Sequence, residues 1–416
     1  MRKQFDRGAS QVRIGLLHQA DRIDGGVYQY SLSVIEALAG NDGRDQYVVI
    51  SSDGATSDLS GGGEVISPPQ NGFMSGRLMR KLYSGSLEAL PIPLPLLIPF
   101  RFTRLGRWSK RKDATDNLGL DLLICPFPTL AARRMGLPYI MVIHDIMHRY
   151  YPADHPWKEK VFRDFVYRQG AQHSVLTVVC SEWGKQDLHR FYGIPLDKIR
   201  VVPPFVPPYV WEHRCLTPSE VDSILRRFEL PERYVFYPAQ FWRHKNHARL
   251  VKALHRIRRE HGVEVPAVFV GAPKESFGEV MSLIEKLGLT RQILHLGYVS
   301  DEETVALYKR AVALVMPTLY GPTNIPMVEA LVLGTCCLCS DLFAMPEQVG
   351  DAGLVFDPFD EKDIAEKVWR IWNDDDLRLD LINKGGLLAR ERYTPEAFTQ
   401  QWREIVRQAT EICCVR

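Results

Sequence analysis

The sequence predicts an α/β protein made of two doubly wound domains. Three observations predict it. Short apolar runs alternate with helix-spaced segments almost from end to end. The 416 residues amount to two or three domains at roughly 150 residues each. A Pro-rich segment, Pro203–Pro208, divides the alternation into two halves. The first half opens with VRIGLL (Val12–Leu17) as a strand, then a Gly25-Gly26 loop. Val27, Tyr30, Val34 and Leu38 share one face of a helix ending at Ala39. YVVIS, LDLLICP, PYIMVIH and SVLTVVC read as further buried strands of a parallel sheet. Ser181 caps a helix that stops at Gly193, and IRVVPP closes the half near residue 205.

The second half begins at YVFYPA (Tyr234–Ala239), followed by a helix from about Asn246 to Glu260. PAVFVG, a helix from about Phe277 to Leu287, and ILHLG come next. Ser300 and Glu303 form a capping box for a helix ending near Arg310. VALVMP is a strand, and a helix starts about Pro326. CCLCS, LVFDP and the helix EKDIAEKVWRIWN complete the half. Such sheets bind ligands at the carboxyl ends of their strands, which for two facing domains means the cleft between them.

Composition narrows the function. Hydrophobic residues at 45% and charged residues at 25% are ordinary for a globular chain. A net charge of +2 excludes a broadly basic nucleic-acid binder. The longest uncharged apolar stretch, Ala89–Phe100, carries four prolines and falls short of the ~20 residues of a membrane helix. The N-terminal MRKQFDRGAS lacks the apolar core of a secretory signal. Most of the eight cysteines lie in strand-like runs, as expected of reduced thiols in a cytoplasmic protein. Cys336, Cys337 and Cys339 lie too close together to close a tetrahedral zinc site without distant partners.

One segment, 72–117, breaks the rhythm. From Arg77 to Lys112 it holds nine basic residues against Glu88 alone, around the Pro-rich apolar run. An apolar wedge with basic flanks suits an anionic membrane face, at about 1 kcal/mol per well-placed basic residue. The other reading is a solvated insertion whose apolar part packs on its own domain.

No G-x-G-x-x-G follows the first strand, and Walker, H-E-x-x-H and G-x-S-x-G motifs are missing. What remains is a set of residues at strand ends. Gly25 and Gly26 let the backbone approach a ligand at a helix N-terminus, or make an ordinary turn. His144, beside Asp145, ends PYIMVIH; it is a site candidate or a satisfied core histidine. Arg243, His244 and Lys245 form a basic turn before a helix, the chemistry of a diphosphate site. In YGPTNIPMVEA, Gly321 through Asn324 form a turn, Pro326 opens a helix, and Glu329 follows one turn in. A carboxylate there can accept two hydrogen bonds from a ribose diol.

Their order and spacing carry a resemblance. GGVYQYSLSVIEAL, VIHDIMHRYYP, VVCSEWGKQDLHRFYGIPLDKIRVVPP, FYPAQFWRHKNHARLVKAL, LGYVSDEETVALYKRA, PTLYGPTNIPMVEALVLGTCCLCSD and MPEQVGDAGLVFDPFD resemble the retaining GT-B glycosyltransferases of family GT4, the group 1 glycosyltransferases. The similarity runs from Val12 to about Tyr393 and is weakest from Ala55 to Asn117. The HKNH and GPTNIP forms look like a branch common among bacterial surface-polysaccharide enzymes.

The resemblance implies two Rossmann-like domains facing across a cleft, 1–208 on the acceptor side and 209–394 on the nucleotide-sugar side. A final helix within 395–416 would cross back to the first. Gly25 and Gly26 would place N–H groups beside the donor diphosphate. His144 would sit by the donor sugar and stabilise an oxocarbenium-like transition state. Lys245, with Arg243, would hold the diphosphate, and Glu329 the ribose. Pro322, Thr323, Asn324 and Ile325 would face the donor sugar and phosphate. No metal or cofactor is implied, because cations and helix N-termini can stabilise the leaving diphosphate. The expected partners are a nucleotide sugar and a glycolipid or polysaccharide acceptor, with mannose slightly favoured, at the inner face of the cytoplasmic membrane.

Two departures stand out. The family pattern E-x7-E would place its first glutamate at Gly321. Thr323 or Asn324 would have to supply the lost hydrogen bonds. Gln240 stands where an arginine often follows the second domain's first strand. The competing readings are a non-catalytic transferase-like scaffold and a GT-B sugar-nucleotide epimerase.

Overall fold

The computed structural model describes residues 11–18, 26–39, 45–51, 64–66, 119–204 and 206–415. Gly25 and the basic insertion lie outside the described residues, so the expectations placed on them are not addressed by it. The chain divides into two compact units. The first comprises Met1–Cys180, Gly184–Val202 and Phe398–Arg416; the second Ser181–Trp183 and Pro203–Ala397.

The first unit holds a parallel sheet of β1 (Arg13–His18), β2 (Gln46–Ser51), β3 (Glu64–Ile66), β4 (Leu122–Cys125), β5 (Tyr139–Val142), β6 (Leu176–Val179) and β7 (Ile199–Val201). Its strand order is β3-β2-β1-β4-β5-β6-β7. The order reverses between β1 and β4, the kind of switch point where doubly wound sheets open a crevice. β4, β5 and β6 are buried at every position, so these runs are continuously apolar rather than alternating. Tyr30, Val34 and Leu38 of the Gly26–Ala39 helix are buried, the face read from their spacing.

The second unit holds β8 (Val235–Pro238), β9 (Ala267–Val270), β10 (Ile293–His295), β11 (Ala313–Met316), β12 (Cys336–Ser340) and β13 (Gly353–Phe356), in the order β10-β9-β8-β11-β12-β13. Here the switch lies between β8 and β11. The His247–His261 helix buries Leu250, Val251, Leu254 and Ile257 on one stripe. Ser300 and Glu303 make both bonds of a capping box for the Asp301–Arg310 helix. Gly271 has φ 145°, and a Cβ there would lie 2.4 Å from the Ala239 carbonyl oxygen, so only glycine lets the ends of β8 and β9 meet.

The fold adds helices that alternation did not announce, among them Trp157–His173, Pro208–His213, Pro218–Leu225 and Asp375–Arg392. Asp374 caps the last of these by accepting from the Leu377 N–H, and Asp375 and Asp376 lie in its first turn. Cys125, Cys180, Cys336, Cys337 and Cys339 are buried thiols; Cys215 and Cys414 are exposed.

Candidate active site

In the second unit, the loops after β8, β11 and β13 are stitched together. Arg243–Lys245 forms a tight 3-10 turn, and Asn246 ends it in the left-handed region at φ 59°, a conformation asparagine tolerates. The Asn246 amide donates to the carbonyls of Pro317 (3.0 Å) and Pro358 (2.9 Å). Tyr237 donates to the Lys245 carbonyl at 2.7 Å. The His244 carbonyl accepts from the Leu319 N–H at 2.7 Å and the Thr318 hydroxyl at 3.1 Å. The basic turn and the segment leading to 321–325 are therefore one assembly.

Lys245 carries the site's electrostatics. Burial pushes its ammonium down to about 8, and no carboxylate pairs with it among the described residues. A desolvated cation without a counter-charge is a receptor for an anion. The Arg243 backbone N–H donates to Glu275 at 3.0 Å, which fixes the turn's approach.

The Gly321–Ile325 turn is shaped by its own asparagine. A Cβ on Gly321 would stand 1.9 Å from the Asn324 amide nitrogen. Asn324 is buried, and its backbone N–H donates to Gln348 Oε1 at 3.1 Å. The Thr323 hydroxyl and Gln348 Nε2 are both buried without a hydrogen-bond partner. Pro322 precedes them, and Ile325 begins the Ile325–Leu333 helix with Pro326 in its first turn.

Glu329, on that helix, is 5% exposed. Its two oxygens accept from Tyr209 at 2.5 Å and from Tyr308 at 2.8 Å. Burial raises its pKa, and the two hydroxyls oppose the rise. The sequence singles out Glu329 but not the Tyr209, Tyr308 and Gln348 that the structure places around it and its helix. No local pattern marks them, since each comes from a different element.

In the first unit, His144 lies just past β5. Its Nε2 is 2.8 Å from the Pro126 carbonyl, which only accepts. The neutral ring therefore carries its proton on Nε2 and leaves Nδ1 as an acceptor. Burial lowers its pKa, keeping it neutral. Tyr30 meets His144 edge-on at 4.7 Å. Tyr30 is one turn into the helix that starts at Gly26, so that helix terminus and His144 belong to one neighbourhood.

Sequence comparison decides the family. The model of group 1 glycosyl transferases matches residues 224–386, and that of glycosyltransferase family 4 matches 25–209. The chain belongs to the group 1 glycosyltransferases of family 4. An O-antigen chain mannosyltransferase B of Escherichia coli is 25% identical over 268 residues, which is 63% of this glycosyltransferase and 68% of that relative. A serotype-specific mannosyltransferase, WbdA of E. coli, is 26% identical over 159 residues, 38% of this chain and only 20% of its own length. The crystal structure of Anabaena HepE with UDP and glucose superposes with TM-score 0.68 at 15% identity, covering 95% of this chain and 100% of that one. At that identity the likeness concerns the fold, which is GT-B.

Proposed function

We propose that this glycosyltransferase moves a hexosyl unit, mannose, from a nucleoside-diphosphate sugar to a lipid-linked or polysaccharide acceptor in cell-surface glycan synthesis. The mannosyltransferase names of its relatives support the sugar. The observation that carries the donor is the desolvated, uncountered Lys245 ammonium, bound in one assembly with the 321–325 turn.

The reaction needs no metal in this reading. The bond between the sugar's anomeric carbon and the phosphate oxygen breaks, and its electron pair goes to the diphosphate. Lys245, Arg243 and the N-terminus of the Ile325–Leu333 helix stabilise that charge, each contact worth ~3 kcal/mol in the transition state. The acceptor hydroxyl attacks from the same face. That same-face attack gives retention, and the hydroxyl's proton passes to a phosphate oxygen of the leaving diphosphate. A neutral His144 suits a sugar that becomes cationic, since an imidazolium there would repel it, and Nδ1 is open to a sugar hydroxyl.

The test is a panel of nucleoside diphosphates and nucleotide sugars, titrated calorimetrically into the protein with EDTA present. One base should bind, stabilise the fold by about 2.7 kcal/mol at a hundred times its Kd, and lose binding in Lys245→Ala. A second reading, a non-catalytic scaffold, has Gly321 as its support; it gains if no donor binds and His144→Ala leaves biological activity intact.

A further inference from the structure

We propose that Tyr209 is a positioning residue for the nucleotide's ribose, acting through Glu329. The inference rests on the reading of Glu329 as the ribose carboxylate. An ionised carboxylate has room for about four hydrogen bonds, two on each oxygen. Tyr209 takes one on Oε1 and Tyr308 one on Oε2. That leaves one acceptor direction on each oxygen, the complement of the two O–H groups of a cis-diol.

The two tyrosines are not equivalent. Tyr308 is wholly buried, edge-on to Phe236 at 4.9 Å, and its hydroxyl also reaches the Pro326 carbonyl at 3.2 Å. Tyr209 is half-buried, and Glu329 is the acceptor shown for its hydroxyl, at 2.5 Å. It is therefore the committed donor. It arrives from the Pro208–His213 helix, 120 residues away in sequence, immediately after the Pro-rich segment. Without it Oε1 loses its fixed partner, the carboxylate turns about its last bond, and the paired acceptor directions are lost.

The experiment compares the nucleoside diphosphate that binds with its 2′-deoxy counterpart, by calorimetry, in the wild-type protein and in Tyr209→Phe. The wild-type protein should prefer the ribonucleotide. Tyr209→Phe should weaken the ribonucleotide about tenfold, a typical value for one charge-assisted hydrogen bond, and leave the deoxynucleotide nearly unchanged. A loss equal for both nucleotides, or no loss, overturns the proposal and leaves Tyr209 structural. A wild-type protein that does not distinguish the two overturns the ribose reading of Glu329, and the proposal with it. Glu329→Asp is the second variant, should Tyr209→Phe fail to fold. It keeps the charge but withdraws it from Tyr209, so it should lose the same preference; a retained preference overturns the proposal.

Discussion

A lysine whose charge is held down only by burial gives this site a pH dependence with a definite sign. The Lys245 ammonium sits at about 8, below its ordinary value near 10.5. A bound diphosphate supplies the missing counter-charge and raises it. Above pH 8 the complex therefore holds a proton that the free protein has lost. Affinity should fall as pH rises through 8, by up to about tenfold per unit. Calorimetry in buffers of different ionisation enthalpy should show proton uptake on binding, and a flat affinity from neutral to alkaline pH would contradict the assignment. The stability sign is opposite. In the same window the unfolded chain binds the proton and the folded one does not, so the unliganded protein gains stability as pH rises from about 8 toward 10.5. Lys245→Met should accordingly raise the melting temperature while abolishing diphosphate binding. Position 321 yields a second prediction. The space a side chain there would need is filled by the Asn324 amide. Gly321→Glu alone should cost about 1–3 kcal/mol through overpacking, and adding Asn324→Gly should recover most of it. Denaturant midpoints of both single variants and the double variant measure that coupling.

At the scale of elements, the C-terminal helix Pro395–Val415 earns its place by what it supports. Phe398 meets Tyr30 edge-on at 5.9 Å, Trp402 lies 6.4 Å from Phe398, and Tyr30 meets His144. Trp402 is wholly buried, so Trp402→Ala should cost about 3–5 kcal/mol. Phe398→Leu is the gentler change. It should lower kcat more than it raises KM, because it loosens His144 and leaves the diphosphate turn untouched. Equal effects on both constants would show that the helix is merely stabilising. Much of this level was legible in the sequence. Buried parallel strands are continuous apolar runs, and the Ser300–Glu303 box names its own helix start. Tyr209 and the Asp375–Arg392 helix were not legible. The first works through a partner 120 residues away, and the second mixes leucines with charges around its whole circumference, so it has no clean stripe. The candidate residues divided likewise. Lys245 and Glu329 announced themselves by charge at strand and helix ends, whereas Gln348 matters only because Asn324 folds against it.

For the whole molecule, the informative quantity is where its charge lies. The chain nets only +2, while residues 77–112 hold nine basic residues and one acidic one. The remainder is therefore net acidic and would by itself be repelled by an anionic bilayer. No helix among the described residues is long and apolar enough to cross a membrane. The basic segment and its central apolar run are the one stretch of the sequence whose charge suits an anionic membrane face. Such binding should be strongly salt-dependent, because the Debye length shrinks from about 30 Å at 0.01 M salt to about 3 Å at 1 M. Vesicles containing phosphatidylglycerol should sediment the protein at the lower salt and release it at the higher, and neutral vesicles should do neither. Replacing Arg101, Arg104 and Arg107 with alanine should lower the salt needed for release, since each basic residue near the surface contributes about 1 kcal/mol. Diphosphate affinity should be unchanged in that variant, because Lys245 and its turn belong to the other unit. Protein that stays in the supernatant with anionic vesicles at low salt would refute this membrane role and leave 77–112 as a solvated insertion.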